Sequence, residues 1–268
     1  MSDPKFVFKQ GKSPLLISIP HLGRIIPPQY AARMTDVASQ IADTDWHLEQ
    51  VYAFADELGA SVLAATHSRY VIDLNRPPNN ESLYPGQTTT GLCPTETFRG
   101  EPLYLEGQAP TDADIQERLA GYWKPYHDKL EEEIQRIKAA HGGALLWEAH
   151  SIASVLPRLF DGKLPDLNIG TGAGSACSED IVQAITSSLD DVSDFTWVVN
   201  GRFKGGHITR HYGRPAQNIH AVQLEMCQST YMNETAPFDY RPDLSAQISP
   251  VVRKMVTAAV EKLQASLV

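Results

Sequence analysis

Apolar residues in this chain alternate between short continuous runs and longer stretches at helical spacing, the pattern of an α/β protein whose strands are covered on both faces. Leu15 to Pro20 (LLISIP), Ser61 to Ala65 (SVLAA), Ala144 to Trp147, Phe195 to Val199 (FTWVV) and Ile219 to Met226 (IHAVQLEM) have strand length and predict buried strands. Tyr70 to Ile72 predicts a further short strand, stopped by Asp73, Asn75, Arg76 and the prolines at 77 and 78. Helical periodicity marks Val51, Phe54, Ala55 and Leu58, ended by Gly59. It also marks a long helix opened by a Thr111/Asp114 capping box, with Ile115, Leu119, Tyr122, Tyr126, Leu130, Ile134 and Ile137 on one side and a kink expected at Pro125. Ser178 is expected to cap a helix carrying Ile181, Val182, Ile185 and Leu189. Ser249, followed by Pro250, is expected to cap the last one, with Val252, Met255, Val256, Ala259 and Leu263 facing the core. Residues 79–108, rich in Gly and Pro including Pro85, predict a long loop, a length that points to a functional segment or lid. The run Glu131-Glu132-Glu133 predicts a solvated face.

The expected architecture is one α/β domain over residues 1–268, with a mixed central sheet flanked by helices. With 23 basic and 32 acidic side chains the net charge is −9, which argues against nucleic acid and anionic membranes as partners, so an anionic ligand must be caught by local arginines. No run approaches the ~20 apolar residues of a membrane span. Cys93, Cys177 and Cys227 are odd in number and widely spaced, which encodes neither a disulfide framework nor a thiolate zinc site and suits a reducing cytoplasm.

Chemistry collects at the predicted strand exits. His21 follows the first buried run, and Glu148 and His150 follow another, two residues apart and so on one face. Each histidine alone could be a hydrogen-bonded wall residue; two at strand exits with carboxylates nearby form a candidate metal site. Asp43 and Asp45 precede a helix, where capping accounts for one acidic residue but not for two. The Asp73-x-Asn75-Arg76 stretch reads either as an Arg–Asp pair closing a loop or as a clamp for a small carboxylate. Residues 200–213 form a basic, glycine-rich loop with Lys204 and Arg210, either ligand-binding or a solvated hairpin. Glu225 sits among apolar neighbours, where a carboxylate needs a cation, a metal or a proton to move. Gly170-x-Gly172 lacks the third glycine of a dinucleotide loop, with Ser175 in its place, and neither a P-loop nor a G-x-S-x-G elbow occurs.

Taken together, IPHLG at 19–23, DTDW at 43–46, SRYVIDLNRP at 68–77, EAHS at 148–151, GGHITRHYG at 205–213 and QLEMCQSTYM at 223–232 resemble the N-formylglutamate deformylase family, amidohydrolases of histidine breakdown. The resemblance implies a zinc carboxypeptidase-like and aspartoacylase-like fold with a metal at the strand ends and a D-x-N-R substrate clamp. One departure is that those relatives use an H-x-x-E pair, whereas Arg24 stands three residues after His21. The implied ligand set is then His21, Asp45 and His150 around Zn²⁺, with Co²⁺ or Fe²⁺ sharing such ligands, and with Asp43 and His47 as rivals to Asp45. Glu225 is implied as general base and Arg69 as oxyanion stabiliser. Asn75, Arg76 and Arg210 would hold the two carboxylates of N-formyl-L-glutamate, and Glu148 would steer a ligand histidine. Another N-acyl amino acid or a peptidoglycan amide as substrate is the near alternative, and a non-catalytic small-molecule-binding protein the distant one. Glu225 argues against the latter, because binding alone needs no buried carboxylate aimed at water.

Overall fold

In a computed structural model, which describes residues 4–83 and 86–267, seven strands make one mixed sheet of order β1-β3-β2-β4-β7-β5-β6. They are β1 (Phe6–Lys9), β2 (Leu15–Ile19), β3 (Ser61–Ala65), β4 (Ala144–Ile152), β5 (Leu167–Gly170), β6 (Trp197–Val199) and β7 (Ile219–Cys227). The central β3-β2-β4-β7 block is parallel, while β1 and β5 run antiparallel to their neighbours β3 and β7. The helices are α1 (Pro28–Ala31), α2 (Asp36–Ser39), α3 (Leu48–Val51), α4 (Asp112–Arg118), α5 (Lys124–His141), α6 (Glu179–Ser187), α7 (His207–Tyr212) and α8 (Pro242–Ser266). Among the described residues no helix is long and apolar enough to cross a membrane.

Strand alternation sorts the core into two layers. Ile17, Trp147, Ala149, Val222 and Leu224 pack under α8 with Val252, Met255, Val256 and Leu263. On the other face Leu16, Leu146 and Ala221 meet Tyr126, Leu130 and Ile134 of α5 and Tyr212 of α7. This second face changes character along the strands. Past Leu146 and Ala221 its positions become Glu148, His150, Gln223 and Glu225, with Glu148 beside Gln223 and His150 beside Glu225 in register. The polar site is therefore the C-terminal end of two adjacent parallel strands, where ligands collect in open α/β sheets.

Several local expectations change. Tyr70 to Ile72 is buried but forms no strand. Its backbone is satisfied piecemeal, Val71 N–H donating to Ser68 O in a turn and the Val71 carbonyl accepting from the fully buried guanidinium of Arg118 at 3.0 Å. The helix expected over Val51 to Leu58 is instead the end of the short helix α3 (Leu48–Val51) followed by a 3₁₀ turn, Ala53–Ala55. The Thr111/Asp114 capping box is present. Upstream of Pro125 the backbone widens into a π-helical turn at Leu119–Trp123, which accommodates a residue that lacks an N–H and crowds the preceding turn. Glu133 turns inward to Ser61 and Arg136 rather than facing solvent. The last helix begins at Pro242, with Pro250 inside it, and Ser249 donates to Val51 O instead of capping. β1, paired on the sheet edge, was not foreseen from its four residues. Pro85 of the expected loop lies outside the described residues.

Candidate active site

His21 leaves β2 on a loop whose carbonyl accepts the Asp45 N–H at 3.0 Å, so the 43–46 segment is strapped to the exit of that strand. This tie brings Asp45 under the two histidines. Asp45 Oδ2 lies 3.1 Å from His150 Nδ1 and 3.6 Å from His21 Nδ1, and ligand atoms of the three residues all fall within 4.8 Å of one another. Bonds of ~2.0–2.2 Å to one tetrahedral ion put ligand atoms about 3.4 Å apart, so these spacings suit a shared cation.

The far ring nitrogens are already engaged. His21 Nε2 meets Asp73 Oδ1 at 2.8 Å and His150 Nε2 meets Glu148 Oε2 at 3.1 Å, which leaves both Nδ1 atoms turned to the common point. A carboxylate behind each imidazole is the arrangement that fixes a ligand tautomer and raises its basicity. Asp73 also accepts from Arg69 at 2.6 Å and from the Asn75 N–H at 2.8 Å.

The charge balance points the same way. Asp45, Asp73, Glu148 and Glu225 are all buried here, with Arg69 as the buried guanidinium among them. His21 Nδ1 and Asp45 Oδ1 are buried without a hydrogen-bond partner. Unpaired buried polar atoms of this kind are costly unless something completes them; a divalent ion beside Asp45 Oδ2 would complete His21 Nδ1, while Asp45 Oδ1 faces the Arg69 guanidinium at 3.9 Å. Without the ion His150 carries the compensation. Burial alone would lower its pKa, yet hydrogen bonds to Asp45 and Glu148 raise it to about 10. Asp45 is held well below the usual carboxylate range, burial being outweighed by the two imidazoles. Burial pushes Glu225 up to about 7, against the opposing pull of His150.

These groups open onto a cavity lined by His21, His150, Glu225, Arg69, Asn75 and Arg76 together with Arg202, Leu159 and Phe203. Thr88 to Thr90 and Phe98 of the long loop cover it. Asn75 Nδ2 reaches His150 Nε2 at 3.0 Å, while its Oδ1 accepts the Ile208 N–H at 2.9 Å. Position 206 must be glycine for that contact, since a Cβ there would lie 2.4 Å from Asn75 Nδ2.

A family model for N-formylglutamate amidohydrolase matches residues 13–232. The chain belongs to the N-formylglutamate amidohydrolase family. It is 50% identical over 254 residues to N-formylglutamate deformylase of Pseudomonas aeruginosa, covering 95% of each chain. It is 49% identical over 256 residues to N-formylglutamate deformylase of Pseudomonas putida, covering 96% of each. A crystal structure of N-formylglutamate amidohydrolase from Ralstonia eutropha JMP134 shares the fold, with TM-score 0.77 at 23% identity over 97% of each chain.

In this amidohydrolase-family chain the rivals of Asp45 point elsewhere. Asp43 Oδ2 accepts the Phe98 N–H at 2.9 Å and so anchors the covering loop, and its pKa is raised by burial. His47, in the left-handed region at φ 61°, directs Nε2 to the Phe238 carbonyl at 2.8 Å. Besides Arg69 and Arg76, the cavity is lined by Arg202, whereas Arg210 is not among its lining residues. Residues 207–212, expected as loop, form α7, whose first turn faces Asn75; Arg210 lies further along it, with its Nε on the Gly205 carbonyl at 2.8 Å. Sequence reasoning also missed Gln223, which accepts the Gly206 N–H at 2.7 Å and donates to Glu225 Oε2 at 3.3 Å. Its alternation with Glu225 along β7 was the available signal.

Proposed function

We propose that this chain is a metal-dependent amidohydrolase that converts N-formyl-L-glutamate to L-glutamate and formate, with Zn²⁺ at His21, Asp45 and His150. The supporting observation is the convergence of those three side chains, two of which, His21 and His150, line one cavity together with Glu225 and Arg76. A divalent ion in that position supplies Lewis acidity to the formyl carbonyl and an acidified water. The remaining work falls to the chain. Glu225, a carboxylate that burial makes more basic, takes the proton of the attacking water and delivers it to the glutamate nitrogen as the C–N bond breaks. Arg69, held by Asp73 with Asp45 and Asp43 nearby, faces the negative charge that develops on the carbonyl oxygen. Asn75 and Arg76 hold the α-carboxylate beside the scissile bond, each charged hydrogen bond contributing on the order of 1.5–3 kcal/mol. Asp73 and Glu148 orient the two imidazoles.

The described cysteines Cys93, Cys177 and Cys227 are all free, which supports a cytoplasmic setting for this small-molecule chemistry. The reading is tested by enzymatic detection of formate released from N-formyl-L-glutamate before chelation, after it, and after addition of zinc, cobalt or iron. Activity that disappears with the metal and returns with one of these ions is expected. A metal-loaded protein that leaves N-formyl-L-glutamate intact but cleaves N-acetyl-L-glutamate would move the assignment to another acyl substrate.

A further inference from the structure

We infer that Arg202 is the specificity-determining residue that binds the side-chain carboxylate of the substrate, an assignment that rests on the deformylase reading and deepens it. His150 and Glu225 stand on the adjacent strands β4 and β7, whereas Arg202 follows β6, which β5 separates from β7 in the sheet, so the two parts of the lining are set apart. Arg76 follows Asn75, whose amide touches His150, so this pair serves the carboxylate borne by the carbon next to the formamide nitrogen. A second carboxylate, carried on a two-methylene arm, needs a cation displaced from the first with apolar surface between them. Arg202 lines the cavity with Leu159 and Phe203, and Ile152 and Phe98 supply apolar lining.

The arginine is presented by a pinned turn. Asn200, in the left-handed region at φ 53°, accepts the Thr171 N–H at 3.0 Å and donates to Thr171 Oγ1 at 2.8 Å, while its own N–H bonds the Ile169 carbonyl at 2.7 Å. The side chain is then aimed by the Leu159 carbonyl, 3.0 Å from Nε. Its terminal nitrogen donates to the Thr88 carbonyl at 3.2 Å, and two residues on, the Thr90 carbonyl accepts from Arg76 Nε at 2.9 Å. One short segment thus touches both guanidinia. A carboxylate oxygen carries more charge than a peptide carbonyl and is the stronger acceptor, so a dicarboxylate displaces the Thr88 contact when it binds.

Substrate pairs that differ only at the distal group isolate this role. In the metal-loaded protein, Arg202→Ala is expected to lower kcat/KM for N-formyl-L-glutamate by about 10–100-fold, chiefly through KM. The rate with N-formyl-L-glutamine should stay within about 3-fold of wild type, and Arg202→Lys should recover part of the loss. Calorimetric titration with glutarate should show the same loss of affinity in Arg202→Ala, while butyrate binds both proteins alike. The retained glutamine-substrate rate also reports an intact fold. Equal losses on both substrates, or an unchanged KM for N-formyl-L-glutamate, would overturn the assignment. A wild-type protein that releases formate from neither substrate defeats the deformylase reading instead, and the glutarate titration still decides whether Arg202 reads a second carboxylate.

Discussion

Glu148→Gln separates the steering of a ligand from the ligand itself, because Glu148 is fully buried and its Oε2 lies 3.1 Å from the ring nitrogen Nε2 of His150. In the metal-free protein the imidazole is raised from 6.5 to about 10, burial being overcome first by Asp45 and then by Glu148. That shift is a stabilisation on the order of 5 kcal/mol, to which Asp45 contributes most and Glu148 next. The sign follows from the raised value: this stabilisation is complete below pH 6.5 and is lost as pH climbs towards 10. Glu148→Gln should therefore unfold at lower urea concentration than wild type at pH 6, with a smaller difference at pH 10. In the metal-bound protein His150 must be neutral with Nδ1 turned to the ion, and a neutral amide then polarises Nε2–H less than a carboxylate does. Zinc affinity, read by competition with a chromophoric chelator, should weaken about 10–100-fold. Turnover at saturating zinc should change only a few-fold. Unaltered zinc affinity together with an unaltered pH dependence of stability would refute the claim that Glu148 orients this histidine.

Other expectations follow from the same geometry. Glu225→Gln should keep its zinc, measured by elemental analysis, and lose about 10²–10⁴-fold in kcat; full turnover would remove it as the base. Asp45→Asn should purify depleted of zinc, whereas Asp43→Asn should retain the ion and loosen the loop that carries Phe98, seen as faster amide exchange there. His127 is buried, its Nε2 2.9 Å from Leu74 O and its Nδ1 2.9 Å from the Tyr212 hydroxyl, which also bonds the His127 carbonyl, and burial pulls its pKa down to about 3. The unfolded chain therefore takes up a proton that the fold refuses. Its contribution is present above pH 6.5 and falls by up to ~1.4 kcal/mol per pH unit towards pH 3. His127→Gln should flatten urea stability between pH 6.5 and 4, and an identical slope would count against this account.

Much of this architecture is local, and local pattern is what periodicity reports. The runs around Leu16, Leu63, Leu146 and Val222 had to be strands because continuous apolar character demands cover on both faces, and their polar exits at His21, His150 and Glu225 followed. What the chain order could not reveal was decided by contacts between residues far apart. Tyr70 to Ile72 has strand composition, yet Arg118, distant in sequence, bonds the carbonyl that a neighbouring strand would have used. Asp45 was separated from Asp43 and His47 by one backbone hydrogen bond to His21 and by the partners that draw the other two away. Arg202 rather than Arg210 lines the cavity, and residues 207–212 fold into a helix. Residue type and spacing name the groups able to do the chemistry. Which of them face a common point depends on hydrogen bonds and packing that close long loops, and those energies exist only in the assembled fold.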